Sequence, residues 1–281
     1  MISPSIRASL TASTSGPSVS GASFDSDAAA RIAQIEATKG SPVTSVQRTA
    51  INNFFRTEKA AGRWSIHKRI YLPIWANASA NAIDLVTGTT GTWVNSPTQA
   101  AGYVQGNGTT QYFNVGSTPG ALGVTTSSGS MWVLNPLADP RAQASLSGLV
   151  GASTARFSLG QAANLDLVAA IGDVASQLNA VDSRLGILFT ATTSSTSRYL
   201  AVRTTAGWSV LQTSTALDST ALDNINVYFL ARNNNNSAAI THSSARFGAF
   251  GLGAGFTQAQ ADSFTAAIKI LWETCTGLTL P

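Results

Sequence analysis

Short apolar runs alternate with polar turns along most of the chain, beginning near Ala80. The runs recur about every ten residues, and glycine, serine, threonine and asparagine fill the intervals. This spacing predicts a mainly β protein of the sandwich type, because an α/β fold would alternate strands with long helices. The predicted strands are Ala82–Leu85, Thr92–Val94, Gly102–Val104, Tyr112–Val115, Gly129–Leu134, Ser147–Ala152, Arg156–Leu159, Leu165–Ile171, Leu185–Thr192, Ser197–Arg203, Gly207–Thr213, Ile225–Arg232 and Arg246–Gly251.

Two segments ahead of these strands have the period of amphipathic helices. The first is predicted over about residues 28–37, with Ser26 or Asp27 as its N-cap. The second is predicted over about residues 45–60, with Val46 on its buried stripe. An aromatic connector follows, so the strands are preceded by a short helical lead-in.

The end of the chain predicts a hairpin followed by a helix. The strand Asn226–Arg232 is followed by a run of four asparagines, and Arg246–Gly253 forms the second strand of the hairpin. Asparagine tolerates the left-handed conformation, so the asparagine run is expected at the hairpin tip. Thr257 and Gln260 then have the spacing of a capping box and open a C-terminal helix.

Several patches of sequence resemble one known family. They are residues 232–234, Ser244–Gly253, the run Phe-Thr-Gln-Ala-Gln-Ala at 256–261, residues 101–116 with Gly106-Asn107-Gly108-Thr109-Thr110-Gln111-Tyr112-Phe113, and Thr49–Phe55 followed by Trp64 and Tyr71–Pro73. Together they resemble concanavalin A-like sandwich proteins of tailed-phage virions, over about residues 30–276. Such proteins are tail fibre, head fibre or minor structural proteins.

The resemblance implies a concanavalin A-like two-sheet antiparallel jelly-roll sandwich, with the helical lead-in at its N-terminus and a helix at its C-terminus. It also implies that the protein is a non-enzymatic structural protein of a bacteriophage virion. Such a protein would be a fibre, a spike, or a decoration protein of the capsid or tail. Its partners would be other virion proteins and further copies of itself, with a trimer favoured by analogy to fibres. The alternative is a receptor-recognition module that binds a host surface glycan through the rim loops of the sandwich.

The composition divides the chain into three parts. Residues 1–23 are rich in serine, threonine, alanine, glycine and proline, and they are expected to form a flexible arm. Residues 24–78 form the helical lead-in and docking segment, and residues 79–281 form the sandwich with its terminal helix. No run of 18 apolar residues and no secretory signal is present, so no membrane span is expected. The expected location is the virion, after synthesis in the host cytoplasm.

Positive charge is concentrated at the front of the chain. Residues 1–75 carry a net charge of +5, whereas the whole chain carries +4. This asymmetry is typical either of docking onto an acidic partner or of ordinary solvated helix faces. The basic residues are spaced apart rather than clustered, so nucleic acid is not an expected partner. The docking candidates are Arg31, Arg48, Arg56, Arg63, Lys68 and Arg69.

The residues needed for catalysis or metal binding are scarce. Of three glutamates, Glu36, Glu58 and Glu273, none falls in a predicted strand where paired acids could face a cleft. The two histidines are far apart in the sequence, and the single cysteine, Cys275, excludes an internal disulfide. We therefore predict no enzyme activity, no catalytic residue and no cofactor. A structural calcium ion is left open, but no spaced acidic loop indicates it.

Aromatic and amide side chains are the candidates for ligand binding. Sugar-binding sandwiches stack aromatic rings on sugar rings and use amides for the hydroxyl groups. The alternative is that these aromatics fill the core or lie between the sheets. The candidates are Trp93, Tyr103, Trp132 and Trp208, together with Asn233, Asn234, Asn235 and Asn236.

Overall fold

The computed structural model describes residues 24–136, 144–150, 155–161, 167–173, 178–180, 185–216, 221–235 and 238–281. The arm predicted for residues 1–23 and the candidate Asn236 lie outside the described residues. The helices are α1 (Ser26–Lys39), α2 (Ser45–Ala60), α3 (Ala78–Asn81) and α4 (Gln258–Thr276). The strands are β1 (His67–Tyr71), β2 (Thr92–Val94), β3 (Thr98–Ala100), β4 (Tyr103–Gln105), β5 (Tyr112–Asn114), β6 (Gly129–Asn135), β7 (Ala144–Val150), β8 (Ala155–Gln161), β9 (Leu167–Asp173), β10 (Leu178–Ala180), β11 (Gly186–Ser194), β12 (Ser197–Thr204), β13 (Gly207–Ser214), β14 (Tyr228–Phe229), β15 (Arg232–Asn234), β16 (Ala238–Ile240), β17 (Arg246–Phe247) and β18 (Ala249–Gly253).

The described strands form two large sheets and one small sheet. The first, here called the central sheet, has the order β1-β18-β6-β11-β12-β13. The second, the outer sheet, has the order β10-β9-β8-β7-β14-β5-β2, with β15 beside β7 and β16 beside β15. Strands β17, β4 and β3 form the small sheet. Apart from the parallel pair β15–β7, the strand pairs are antiparallel. The predicted fold, a mainly β antiparallel sandwich with N-terminal helices and a C-terminal helix, is confirmed.

The sandwich core lies between the central and outer sheets. Met131, Val133 and Phe250 of the central sheet belong to one buried cluster with Phe113 and Phe229 of the outer sheet. The rings of Phe229 and Phe250 have centroids 4.5 Å apart, and those of Phe113 and Phe250 are 5.4 Å apart. Aromatic rings therefore join the two sheets at the centre of the molecule.

A second core lies on the opposite face of the central sheet. Trp132 and Phe189 project from that face and pack against Phe55 of α2 and Phe264 of α4, with the Trp132 and Phe264 centroids 5.0 Å apart. The central sheet is thus covered on both faces, which explains why every residue of β6 is buried. The helical lead-in shares this core with the sandwich and the terminal helix.

Local capping sets the ends of the helices. The capping box at Thr257 and Gln260 is confirmed, and Thr44 and Gln47 form a second one at the start of α2. The cap of α1 is Asp25 rather than the predicted Ser26 or Asp27, because the Asp25 carboxylate accepts hydrogen bonds from the first free backbone N–H groups. Among the described residues, no helix is both long and apolar enough to cross a membrane.

Several predictions about the strands were wrong. The predicted strand Ile225–Arg232 is divided into β14 and β15, because Leu230 between them has a φ of +65°. Residues 82–85 form only isolated bridges, and the predicted aromatic connector contains strand β1, which pairs with β18. The asparagine-rich hairpin closes on β16, with Asn233 opposite Ala239, instead of on residues 246–253. Those residues form β17 and β18, which belong to different sheets. The pairing partner is decided by contacts distant in sequence, which a local pattern does not contain.

Glycines in and just before β18 permit a close approach to β1 and to α4. A Cβ atom on Gly251 would lie 2.3 Å from the backbone oxygen of Arg69, and one on Gly248 would lie 2.3 Å from Trp272 Nε1. Both distances are shorter than any van der Waals contact, so these positions accept only glycine without rearrangement. The glycine run therefore serves strand and helix packing.

Candidate functional site

A cavity of about 520 Å³ opens beside edge strand β2, between that strand, α3 and the end of α1. We call it the Trp93 pocket. Its volume lies within the range of small-molecule sites. It is lined by Thr38, Ala78, Ser79, Ala82, Thr90, Gly91, Thr92, Trp93, Ser96, Pro97 and Gln99.

The indole of Trp93 is held in place on two sides. Its Nε1 donates a hydrogen bond to the Ala78 backbone oxygen at 2.8 Å. Its ring centroid lies 4.3 Å from that of Phe113, the residue opposite it on β5. The side chain is half-buried, and its remaining surface lines the pocket. Because both contacts restrict rotation of the ring, the pocket has a preformed aromatic wall.

A strained turn forms the adjacent wall. Asn95 and Ser96 have φ values of +56° and +53°, a region that side-chain-bearing residues adopt at a cost. The Gln111 side chain donates from Nε2 to the backbone oxygens of Asn95 and Ser96, at 2.9 and 3.0 Å. Asn95 Nδ2 in turn donates to the Thr110 oxygen at 2.9 Å. These bonds hold Ser96 and Pro97 at the pocket.

The buried side chain of Asn81 orients Gln99, the polar group on the third side of the pocket. Asn81 is fully buried, and its Oδ1 accepts a hydrogen bond from the Trp75 backbone N–H at 3.0 Å. Its Nδ2 donates to Gln99 Oε1 at 2.8 Å, which fixes the Gln99 amide. Five hydroxyl groups complete the polar lining, those of Thr38, Ser79, Thr90, Thr92 and Ser96. Each hydroxyl can both donate and accept a hydrogen bond.

The four candidate aromatics do not form one cluster. Trp93, Tyr103 and Trp208 are half-buried and lie on three different sheets. The Tyr103 ring is covered by the Arg246 guanidinium, 4.6 Å from its centroid, and Trp208 packs against the helix-side core. Trp132 is only 1% exposed and belongs to that core, so it is out of reach of a ligand.

The asparagine run is only partly available at the surface. Asn233 is fully buried, and its Nδ2 donates to the Asn226 oxygen at 2.8 Å, so its amide serves the fold. Asn234 is half-buried in β15, and Asn235 is exposed in the turn with a φ of +49°. The conformation expected for asparagine in a turn is therefore found at Asn235.

The six docking candidates differ in their surroundings. Arg63 is buried and forms a two-pronged ion pair with Glu58, so it is not available for docking. Arg69 donates to the Ser117 hydroxyl and to the Lys68 backbone oxygen, and its guanidinium lies 3.6 Å from the Asp84 carboxylate. Lys68 donates to the Ser65 backbone oxygen. Arg48 pairs with Glu36, Arg31 donates to Gln34, and Arg56 is exposed on α2.

A second concave surface lies between α2 and α4, and sequence reasoning missed it. We call this cavity of about 570 Å³ the helix groove. Val46 and Ile270 flank it, with 57% and 63% of their surfaces exposed. The prediction that Val46 lies on the buried stripe of α2 was wrong. The sequence does contain one signal of the groove. Ile270 is a large apolar residue that falls outside the predicted buried stripe of the C-terminal helix.

Three buried titratable groups, Glu58, His67 and Cys275, are not among the residues that line either cavity. Burial alone would raise the pKa of Glu58, but hydrogen bonds from His67 and Arg63 outweigh it and hold that pKa below its ordinary value. Burial lowers the pKa of His67, and the contact with Glu58 only partly offsets this. Burial raises the pKa of Cys275 to about 12, which makes its thiol unreactive. Within the described part of the chain, no group of three or more metal-ligating side chains occurs.

No family model matches the sequence, and no curated protein matches it either. Among solved structures, the chain is similar to the Trypanosoma rangeli sialidase in complex with 2,3-difluorosialic acid, with a TM-score of 0.52 and 11% identity over 80% of this chain. The match covers 39% of the sialidase, so the chain spans well under half of that protein. At this identity the likeness shows the fold alone.

Two further structures match with lower scores. One is the Ruminococcus gnavus IT-sialidase CBM40 bound to α2,3-sialyllactose, with a TM-score of 0.41 and 11% identity over 63% of this chain and 97% of that one. The other is domain 4 of AbnA, a GH43 extracellular arabinanase from Geobacillus stearothermophilus, in complex with arabinotriose, with a TM-score of 0.43 and 13% identity over 71% and 98%. TM-scores this low carry no argument about function.

Proposed function

We propose that this protein is a non-enzymatic β-sandwich module that binds a carbohydrate in the Trp93 pocket. The observation that carries the proposal is an indole fixed by Phe113 and by the Ala78 oxygen, beside a cavity lined by hydroxyl groups and one oriented amide. The function expected as the alternative from sequence, glycan recognition at the rim of the sandwich, therefore becomes our first proposal.

The chemistry of the pocket is suited to a sugar. A sugar ring has an apolar face of C–H groups, and an aromatic side chain offers a rigid apolar surface of matching size. Its hydroxyl groups donate and accept hydrogen bonds, as do those of Thr92 and Ser96. Concave sites with apolar walls and a few placed polar groups are the usual form of small-molecule sites.

The proposal is tested by binding on a glycan array, followed by titration calorimetry with the best ligand. We expect Trp93→Ala to lower the affinity at least tenfold. Trp208→Ala is the matched control, since Trp208 is also half-buried but lies on β13 of the central sheet. Equal binding by both variants and the wild type, with intact circular dichroism spectra, would remove the Trp93 pocket as the site.

We propose no catalytic role for this pocket. Glycoside hydrolysis needs two carboxyl groups placed across the scissile bond, and the described residues that line the pocket include no aspartate or glutamate. Incubation with the bound glycan, followed by chromatography, should return the glycan unchanged.

A second proposal, compatible with the first, is a structural role in a phage virion as a fibre, spike or decoration protein, in contact with other virion proteins. It rests on the sequence resemblance and is supported by the helix groove. We propose that a second copy of this chain occupies the groove, because the exposed Ile270 side chain beside it can insert into the same groove of a symmetry-related copy.

Mass photometry tests this second role. The wild-type chain is expected to be an oligomer, and Ile270→Arg is expected to give monomers because it places a charge at the apolar contact. Thr279→Arg, at another exposed position, is the control. A monomeric wild-type protein, or an unchanged oligomer in the Ile270 variant, would contradict the proposed occupant of the groove.

A further inference from the structure

We infer that the Trp93 pocket selects an uncharged saccharide and discriminates against an acidic one. The inference rests on the proposed function, since it names the chemical class of the ligand for that same pocket. It starts from the electrostatic character of the lining. Each of the eleven described residues that line the pocket is uncharged, and the polar groups among them are hydroxyls and one amide.

The nearest positive charges along the chain are engaged elsewhere. Lys39 follows the lining residue Thr38, but its Nζ donates to the backbone oxygens of Ser41 and Pro42 at 3.2 and 3.1 Å. The same ammonium group lies 6.0 Å from the centroid of the Trp75 ring. Arg31, on the same helix, donates to the Gln34 side chain. Neither Arg31 nor Lys39 is among the residues that line the pocket.

The nearby negative charge is engaged as well. Asp84 is fully buried, and its carboxylate accepts hydrogen bonds from the backbone N–H groups of Ile70 and Val86 at 2.8 and 3.1 Å. It also accepts from the Thr87 hydroxyl at 2.6 Å. Asp84 therefore stabilises the chain beside the pocket and is not available to a cationic ligand.

These contacts decide which ligand is favoured. An acidic sugar would have to surrender water from its carboxylate or sulfate group without gaining a cation, and unpaired charge is costly to desolvate. A neutral sugar surrenders only hydroxyl hydration, which the hydroxyls of Thr90, Thr92 and Ser96 and the Gln99 amide can replace. The pocket should thus read the hydroxyl pattern and the apolar face of a neutral ring.

The test uses the full chain on an array of matched glycan pairs, each pair differing only by a terminal sialic acid or a sulfate group. We expect binding to the neutral member of a pair, at least tenfold weaker binding to the acidic member, and loss of both signals in Trp93→Ala. Binding to the neutral member should hardly change between about 0.05 and 0.5 M salt, because no ion pair contributes to it.

A gain-of-charge variant gives a second readout. Thr92 lines the pocket and is exposed, so Thr92→Lys adds a cation at low risk to folding. We expect this variant to shift the preference toward the acidic member of each pair and to make its binding sensitive to salt.

The possible outcomes distinguish failure of the proposed carbohydrate binding from failure of the inferred selectivity for neutral sugars. Trp93-dependent binding that favours the acidic member in the wild-type protein overturns the inference of neutral selectivity and leaves the proposed function standing. Absence of Trp93-dependent binding to every member of the array overturns the proposed function and the inference with it. Trp93-dependent binding that favours the neutral members supports the proposed function and the inference, provided that Thr92→Lys shifts the preference toward the acidic members.

Discussion

His67 Nε2 lies 2.9 Å from Glu58 Oε2 in the interior between α2 and β1. Both side chains are almost completely buried, and Arg63 binds the same carboxylate through two further hydrogen bonds of 2.9 and 2.6 Å. The contact joins the end of α2 to β1, an edge strand of the central sheet. A charged group this deep is stable only while its partners remain in place.

Removal of Glu58 should therefore destabilise the fold strongly. Glu58→Ala leaves the buried Arg63 guanidinium without its partner, and loss of one member of a buried pair typically costs about 3–5 kcal/mol. Urea unfolding followed by tryptophan fluorescence measures this loss. Arg56→Ala, at an exposed position on the same helix, should change the free energy of unfolding by at most about 0.5 kcal/mol. Similar losses in both variants would contradict the importance of the buried pair.

Stability should fall as the pH is lowered below about 6.5, the ordinary pKa of histidine. Because burial lowers the pKa of His67 in the folded protein, the unfolded chain binds the proton first, and protonation favours unfolding. The lowered pKa of Glu58 acts in the same direction below its ordinary value of 4.5. The measurement is the urea midpoint as a function of pH.

The His67→Gln variant isolates the histidine contribution. Glutamine can still donate a hydrogen bond to Glu58, but it does not titrate. We expect lower stability than the wild type at pH 7.5 and a flatter dependence between about pH 6.5 and 5. A wild-type slope that persists in this variant would assign the pH dependence to other groups.

A chain that starts at residue 79, the predicted boundary of the sandwich, should not fold. It lacks β1 and the two long N-terminal helices, so Trp132 and Phe189 would lose much of the apolar surface that covers them. We expect aggregation or binding of a hydrophobic dye, whereas a chain that starts at residue 24, which keeps α1, α2 and β1, should unfold cooperatively. A folded, monomeric product from residue 79 would show that the sandwich is independent of its lead-in.

Gln111 should control the Trp93 pocket without touching its cavity. Gln111→Met keeps the length of the side chain but removes the N–H groups that hold the Asn95–Ser96 turn. Loss of these two hydrogen bonds should lower the free energy of unfolding by at most about 2 kcal/mol, since each contributes about 1 kcal/mol. We expect glycan affinity to fall severalfold as the wall loosens. The same substitution at exposed Gln258 should leave affinity unchanged, and equal affinities in both variants would refute this role for Gln111.

The local features of this chain were predictable from sequence because neighbours in sequence produce them. The capping box of Thr257 and Gln260 joins residues three positions apart, and the glycine after α1, Gly40, adopts the left-handed conformation expected of a helix end. Strand β2 was predicted with its observed bounds, Thr92–Val94. The two-sheet architecture followed from the spacing of the apolar runs.

The candidate site was harder to predict because burial is a property of the assembled fold. Trp93 and Trp132 both lie in a predicted strand, and both were candidates for ligand binding on the basis of sequence. In the structure, Trp93 lies on edge strand β2 beside a cavity, whereas Trp132 lies on a strand between two neighbours, under helix α4. Position within the sheet, not residue type, decides which tryptophan a ligand can reach.

By itself, the sequence determined the three long helices, the capping box of α4 and the sandwich class, since these follow from hydrogen bonds and apolar periods within short windows. Only the tertiary structure decided that the central sheet is buried on both faces, and that β18 pairs with β1 rather than closing the asparagine hairpin. It also created the Trp93 pocket, whose walls come from α1, α3 and β2. These outcomes depend on contacts between segments far apart in the chain, and their free energy is gained only when the whole fold forms.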